Sequence, residues 1–184
     1  MNGFQQDDSQ NDFSVRPARA EEMAGLPALE RAADAVFEQY GIWPLPQAPD
    51  EAHEAHEAFE AGFADAAAVL VAGRPPVGFA RLDLVGGVPH LEQLSVDPAF
   101  ARRGLGTALV RGCCDWAARA GFAELTLTTF AQVPFNAPFY ARLGFTVIDD
   151  AALPAGLARL RRREAEMGLD ALGPRVAMRR ATGS

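Results

Sequence analysis

VDPAFARRGLGTALV, the stretch from Val96 to Val110, combines a strand end, a tight glycine-containing turn and the first turns of a helix. Leu94 and Val96 supply the apolar alternation of the strand, Pro98 ends it, and Leu105, Leu109 and Val110 begin a helical stripe. Gly104 and Gly106 remove side chains where a ligand must approach the backbone. A turn of this kind presents free backbone N–H groups to an anion, and Arg102 and Arg103 add charge within it. It reads as a phosphate cradle.

Spacing separates three phosphate ligands. A Walker-type loop requires a Lys and a Ser or Thr after its second Gly, and the chain contains no lysine: all 17 of its basic residues are arginine. A dinucleotide fingerprint starting at Gly104 places Leu109 where a third small residue must let helix and strand pack closely. It also wants an acidic residue at the end of the next strand, whereas Glu124 precedes Leu125 to Phe130. The third reading is a coenzyme A pyrophosphate loop. Ala101 to Gly106 resembles the loop of the GNAT acetyltransferase superfamily: Gln or Arg, two residues, Gly, one residue, then Gly or Ala. Ala101 departs from that pattern. Because the loop works mainly through backbone N–H groups and the helix dipole, the departure weakens binding rather than abolishing it.

A second segment carries the same resemblance. LTLTTFAQVPFNAPFYARLGFTVID, Leu125 to Asp149, reads as a β-branched strand, a loop broken by Pro134, a short helix from Pro138 to Leu143 and a strand opening at Gly144 and Phe145. GNAT enzymes characteristically carry a Tyr on such a short helix, followed by Leu-Gly-Phe and a core strand. Tyr140 and Leu143-Gly144-Phe145 match in order and distance.

At 184 residues and 49% hydrophobic content the chain suits one domain with a full core. Residues 1–12 read as a disordered tail, 13–180 as a single GNAT domain and 181–184 as a short tail. The formal net charge of −7 argues against nucleic acid and favours neutral or cationic small substrates. No apolar run is long enough for a membrane span or signal peptide, so no membrane partner and a cytoplasmic location are expected. Cys113 and Cys114 are helix neighbours that diverge, consistent with packing residues in a reducing compartment.

Along the chain, a strand is expected at Phe13 to Arg16, then a helix with apolar positions from Met23 to Phe37, ending before Gly41. An apolar, proline-stiffened loop from Gly41 to Pro46 and a helix from Asp50 to Gly62 follow. Strands at Ala67 to Ala72, Val77 to Val85 and His90 to Val96 form an antiparallel meander. A helix to about Ala120, the strand Leu125 to Phe130 and the Tyr140 helix imply a parallel crossover. The last segment holds a helix from Leu157 to Met167 and a strand from Arg175 to Arg180. Consecutive Arg161, Arg162 and Arg163 read as a solvated face. The fold class is α/β (α+β): the GNAT fold, a mixed, largely antiparallel sheet of about six to seven strands flanked by about four to five helices.

The resemblance implies acetyl-coenzyme A as co-substrate, with Leu94, Ser95 and Val96 lining the pantetheine arm. Ala101, Arg102, Arg103, Gly104, Leu105, Gly106 and Thr107 would hold the pyrophosphate, with Asn136 and Phe139 beside the arm. Tyr140 becomes the acid that protonates the departing thiolate. With ordinary pKa values near 10 for Tyr and about 8.5 for a thiol, that transfer is uphill by about 2 kcal/mol. The acceptor must be neutral to attack, which costs about 4.6 kcal/mol at pH 7 for a lysine-like amine and about 1.4 for an α-amino group. Glu92 is the candidate base. Simple alternation puts it on the face of Leu94 and Val96, whereas a bulge would bring Gln93 forward.

The histidines of His53-Glu54-Ala55-His56-Glu57 are three apart, where a zinc helix needs four, so no metal is expected. Trp43, Glu51 and His53 are candidate substrate contacts, because in GNAT enzymes the first two helices and their loop border the acceptor pocket. The expected activity is N-acetyl transfer to a primary amine, small molecule or peptide, by direct attack in a ternary complex. The alternative is a non-catalytic acyl-coenzyme A-binding sensor on the same fold. The resemblance leaves a homodimer open.

Overall fold

The computed structural model describes residues 13–42, 63 and 65–183. Its sheet contains β1 Val15–Pro17, β2 Ala68–Ala72, β3 Gly78–Val85, β4 Val88–Val96, β5 Glu124–Phe130, β6 Thr146–Val147 and β7 Arg175–Ala181. The spatial order is β1-β2-β3-β4-β5-β7-β6. Every neighbouring pair is antiparallel except β4 and β5, which run parallel. The expected mixed, largely antiparallel sheet is therefore present, with β7 inserted between β5 and β6. Gly86 and Gly87 make the β3–β4 hairpin with φ of 62° and 84°. Two consecutive positive φ values give the turn the twist that two-residue hairpins require.

The helices are α1 Ala20–Met23, α2 Leu26–Asp34, α3 Leu105–Arg119, α4 Ala137–Arg142, α5 Ala155–Glu166 and α6 Leu169–Leu172, with a 3-10 helix at Ala35–Tyr40. The single first helix expected from Met23 to Phe37 is thus three pieces. Pro27 falls in the first turn of α2, where its missing N–H costs nothing, and a continuous helix through it would clash with the preceding turn. The expected helix from Asp50 to Gly62 lies outside the described residues.

α3 packs on one face of the sheet, burying Leu109, Val110 and Cys113 against Leu82, Leu91, Leu127 and Met178. The other face is covered by α2, where Leu26 meets Val69, Val71 and Phe79, and by α5, where Leu157 meets Ile148 and Ala177. Residues 69–72 of β2 are all buried, as a strand covered on both faces requires.

Two irregularities in β4 create a cleft. First, β4 and β5 pair only at His90–Thr126 and Leu91–Leu127, so beyond those positions the parallel strands part. Second, Gln93 stands opposite Arg81 and Leu91 opposite Leu82, which leaves Glu92 as the extra residue of a β-bulge. Alternation therefore fails at this point. Leu94 and Val96 pack against the α3 core, while Glu92 and Gln93 join Arg81 and Asp83 along a cavity that Leu94 also borders. The expectation that Glu92 shares a face with Leu94 and Val96 is corrected by that one inserted residue.

Candidate active site

β4 leads through Asp97, whose carboxylate accepts from the Ala99 N–H at 2.8 Å, into the loop Ala101 to Gly104. Arg102 and Gly104 both adopt left-handed backbone, with φ of 62° and 82°. Gly104 then caps α3 without any side-chain hydrogen bond. Ala108 is the first residue whose N–H reaches back to the Gly104 carbonyl, at 2.9 Å. The N–H groups of Leu105, Gly106 and Thr107 thus project from the helix end without helical acceptors, the arrangement that suits a phosphate. Arg102 and Arg103 are exposed beside them, and the Arg103 guanidinium lies 5.2 Å from the Phe100 ring centroid.

The second motif closes onto this loop. Asn136 begins α4, and its carbonyl accepts from the N–H groups of Phe139 and Tyr140 at 2.8 and 3.0 Å. The Phe139 ring meets the α3 turn at Gly106 and packs edge-on against Tyr140, with centroids 5.1 Å apart. Tyr140 in turn meets Phe145 at 5.7 Å. Tyr140 is 8% exposed. Burial, with a smaller contribution from Cys113, pushes its phenol above the ordinary range. Handing a proton to a thiolate is then harder than the 2 kcal/mol expected from free tyrosine, but the phenol is fully protonated and ready to donate.

A cavity of about 650 Å³ links these elements, with Leu94, Asn136, Tyr140, Glu92 and Gln93 among its walls. Ser95 is buried and accepts from the Gln93 side-chain amide at 2.9 Å, so Gln93 is already engaged. The Glu92 carboxylate accepts no hydrogen bond from a described side chain, and His90 Nε2 lies 3.9 Å from its Oε2. Burial and the neighbouring Asp83 carboxylate raise its pKa. Val96 ends the strand, half-buried against the core.

Sequence reading missed much of the cavity's charge. Arg81 and Asp83 form a bidentate pair at 3.0 and 2.6 Å. Glu164 is buried at the α5 side, bound by Thr128, Arg161 and Arg175. Burial opposes its ionised form, but those partners hold its carboxyl below the usual range. Arg161, read as part of a solvated run, instead pairs with Glu164 and Asp170; only Arg162 and Arg163 are exposed. Burial and Asp34 push Glu30 up to about 7, and burial raises Asp34. None of these residues carried a motif, because only the fold brings them together from separate elements in and around the cavity. Trp43, Glu51 and His53 lie outside the described residues.

Solved structures share this fold. The chain is similar to the PaiA N-acetyltransferase of Thermoplasma acidophilum in complex with coenzyme A: 17% identity, TM-score 0.64, 91% of this chain and 98% of that one. It is similar to the ribosomal-protein-S18-alanine N-acetyltransferase of Escherichia coli at 17% identity and TM-score 0.64, covering 93% and 94%. A GCN5-related N-acetyltransferase from Rhodopseudomonas palustris matches at 25% identity and TM-score 0.58, covering 76% and 85%. Among the described residues no helix is long and apolar enough to cross a membrane. The acetyltransferase (GNAT) family profile matches residues 29–145, which takes in both the α3 loop and the Tyr140 segment, and the chain belongs to that family of acetyl-coenzyme A-dependent acetyltransferases.

Proposed function

We propose that this protein transfers the acetyl group of acetyl-coenzyme A to a primary amine by direct attack in a ternary complex, with Tyr140 as acid and Glu92 as base. One observation carries the reading. A buried phenol and a carboxylate, neither hydrogen-bonded to a described side chain, line one cavity where β4 parts from β5.

Bound acetyl-coenzyme A supplies a thioester whose sulfur leaves as thiolate. The N–H groups of Leu105, Gly106 and Thr107 receive the pyrophosphate, with Arg102 and Arg103 adding charge. Residues Leu94, Ser95 and Val96, no longer paired with β5, offer backbone groups to the pantetheine arm and an N–H to the developing oxyanion. Asn136 and Phe139 border the arm. Glu92 takes one proton from the acceptor ammonium and passes it to solvent, and the freed lone pair attacks. Tyr140 protonates the sulfur as the C–S bond breaks, and the second proton lost by the new amide nitrogen restores the phenol through solvent.

The Glu92 and Asp34 carboxylates among the cavity walls favour an acceptor that arrives as a cation. The two free, buried cysteines support a reducing compartment, and cytoplasmic residence is part of this proposal. The test is release of free thiol from acetyl-coenzyme A with a panel of small amines, amino acids and peptides. Turnover that Tyr140→Phe lowers at least about 100-fold supports the reading. Thermal stabilisation by acetyl-coenzyme A with no thiol release from any amine replaces it with a non-catalytic sensor.

A further inference from the structure

His90 is the most buried ionisable side chain next to Glu92, and the mechanism above does not use it. It is 1% exposed. Its Nδ1 lies 3.0 Å from Thr126 Oγ1, and the Thr126 hydroxyl donates to the Pro89 carbonyl at 3.1 Å. A hydroxyl has one proton, so once it is given to Pro89, Thr126 can only accept from the imidazole. That makes Nδ1 the protonated nitrogen. Burial pushes the ring's pKa down to about 4, so the second nitrogen carries no proton at neutral pH. Nε2 therefore carries a bare lone pair, and Glu92 Oε2 lies 3.9 Å from it.

Such an acceptor has nothing to offer a carboxylate and can only receive from a carboxylic acid. We propose that His90 is a positioning residue: locked as the Nδ1–H tautomer by Thr126, it holds the proton that Glu92 takes from the acceptor ammonium by accepting a hydrogen bond at Nε2. The step balances on Glu92 alone. The ammonium N–H electron pair becomes the nucleophile's lone pair, its proton goes to Glu92, and the O–H so formed points at Nε2; no proton crosses to His90. Closing the gap by roughly 1 Å brings the pair to hydrogen-bond distance. His90 and Glu92 stand two apart on β4 and share a face by ordinary alternation; the bulge follows them and changes the register only from Gln93 onward.

Other charges act on the pair without replacing this role. Arg81 and Asp83 from β3, Glu30 from α2, Glu164 from α5 and Arg175 from β7 all bear on Glu92. Glu164 and Arg175 also bear on His90. Arg81 is paired with Asp83, and Arg175 with Glu164. None donates to Nε2, which stays open toward Glu92.

This inference rests on the assignment of Glu92 as base, and its test reads both separately. Nitrogen-15 NMR of the histidine-labelled full chain at pH 7 should show His90 protonated at Nδ1 and bare at Nε2. With carbon-13-labelled glutamate, the Glu92 carboxyl titration should appear in the Nε2 shift of His90 and not in Nδ1. Neither readout needs turnover. In the active enzyme, Thr126→Val should free the ring to carry its proton on Nε2 and donate to the carboxylate. The acidic limb of kcat/KM then moves down by about one pH unit, while Thr126→Ser leaves it in place. A wild-type His90 protonated at Nε2, or titrating independently of Glu92, overturns the proposal, as does an unmoved limb in folded Thr126→Val. A panel of amines giving no thiol release, with the NMR coupling intact, overturns the assigned reaction and leaves the His90–Glu92 pair standing.

Discussion

Gly106 packs against Phe139: a Cβ on the glycine would stand 3.5 Å from the ring's Cζ. Phe139, on the helix that carries Tyr140, packs against the core to which Leu105 of the first α3 turn belongs, and meets Tyr140 edge-on. The two motifs that sequence places more than thirty positions apart thus meet at one corner of the fold, which brings the anion cradle and the phenol side by side.

That contact separates the two loop glycines. Gly104 has open space around a missing side chain but a φ of 82°, whereas Gly106 sits in helix with an ordinary 3.5 Å neighbour. Gly104→Ala should cost about 1–2 kcal/mol and weaken coenzyme A binding, because it strains the residue that turns the N–H groups outward. Gly106→Ala should be neutral or stabilise by up to about 1 kcal/mol through helix propensity. Urea denaturation with coenzyme A titration by calorimetry checks both; equal losses for the two variants would contradict this account.

Removing the Tyr140 hydroxyl leaves the ring contacts with Phe139 and Phe145 in place. Tyr140→Phe should therefore reduce kcat by about 100-fold or more, with coenzyme A affinity close to wild type. No described side chain loses a hydrogen bond, so stability should change by less than about 1 kcal/mol. A matching fall in coenzyme A affinity would mean that Tyr140 binds rather than donates.

Glu92→Gln keeps the volume of the side chain in the bulge but removes its basicity. We expect kcat/KM to fall by about 100-fold at pH 7 and its acidic limb to disappear. Because burial and Asp83 raise the Glu92 pKa, that limb should lie above the ordinary glutamate range in the wild type. An unchanged pH profile in the variant would assign the base to another group or to water.

The fold was legible because its decisive signals are local. Gly86-Gly87 marks a hairpin, Gly104 a helix start, and Tyr140 with Leu143-Gly144-Phe145 a short helix and turn, each within a few residues. The face of Glu92 was not legible, since the bulge depends on how Gln93 and Leu91 register against Arg81 and Leu82. Arg161 shows the same limit: three consecutive arginines resemble a solvated run until α5 packs and Glu164 and Asp170 claim the first. His90 carried no signal at all, because its meaning lies in Thr126, thirty-six positions away on a parallel strand.

Acid should unfold this protein through His90 as well as through its carboxylates. His90 has a folded pKa of about 4 against an ordinary value of 6.5, so between these values the unfolded chain binds the extra proton. Stability therefore falls as pH drops through that window, by about 3 kcal/mol from this residue at its limit. Glu164 adds to the loss at lower pH, because its depressed folded value means that the pairing with Arg161 and Arg175 disappears on protonation. Glu30 acts in the opposite sense. Its folded pKa of about 7 against an ordinary 4.5 means that the folded state takes up the proton first, so acidification through that range relieves a cost. The two shifts are similar in size and opposite in sign, so urea midpoints measured from pH 7 to pH 4 should change little in the wild type and decline in Glu30→Gln, which lacks the opposing contribution; a decline in the wild type that Glu30→Gln does not steepen would reverse the sign assigned to Glu30.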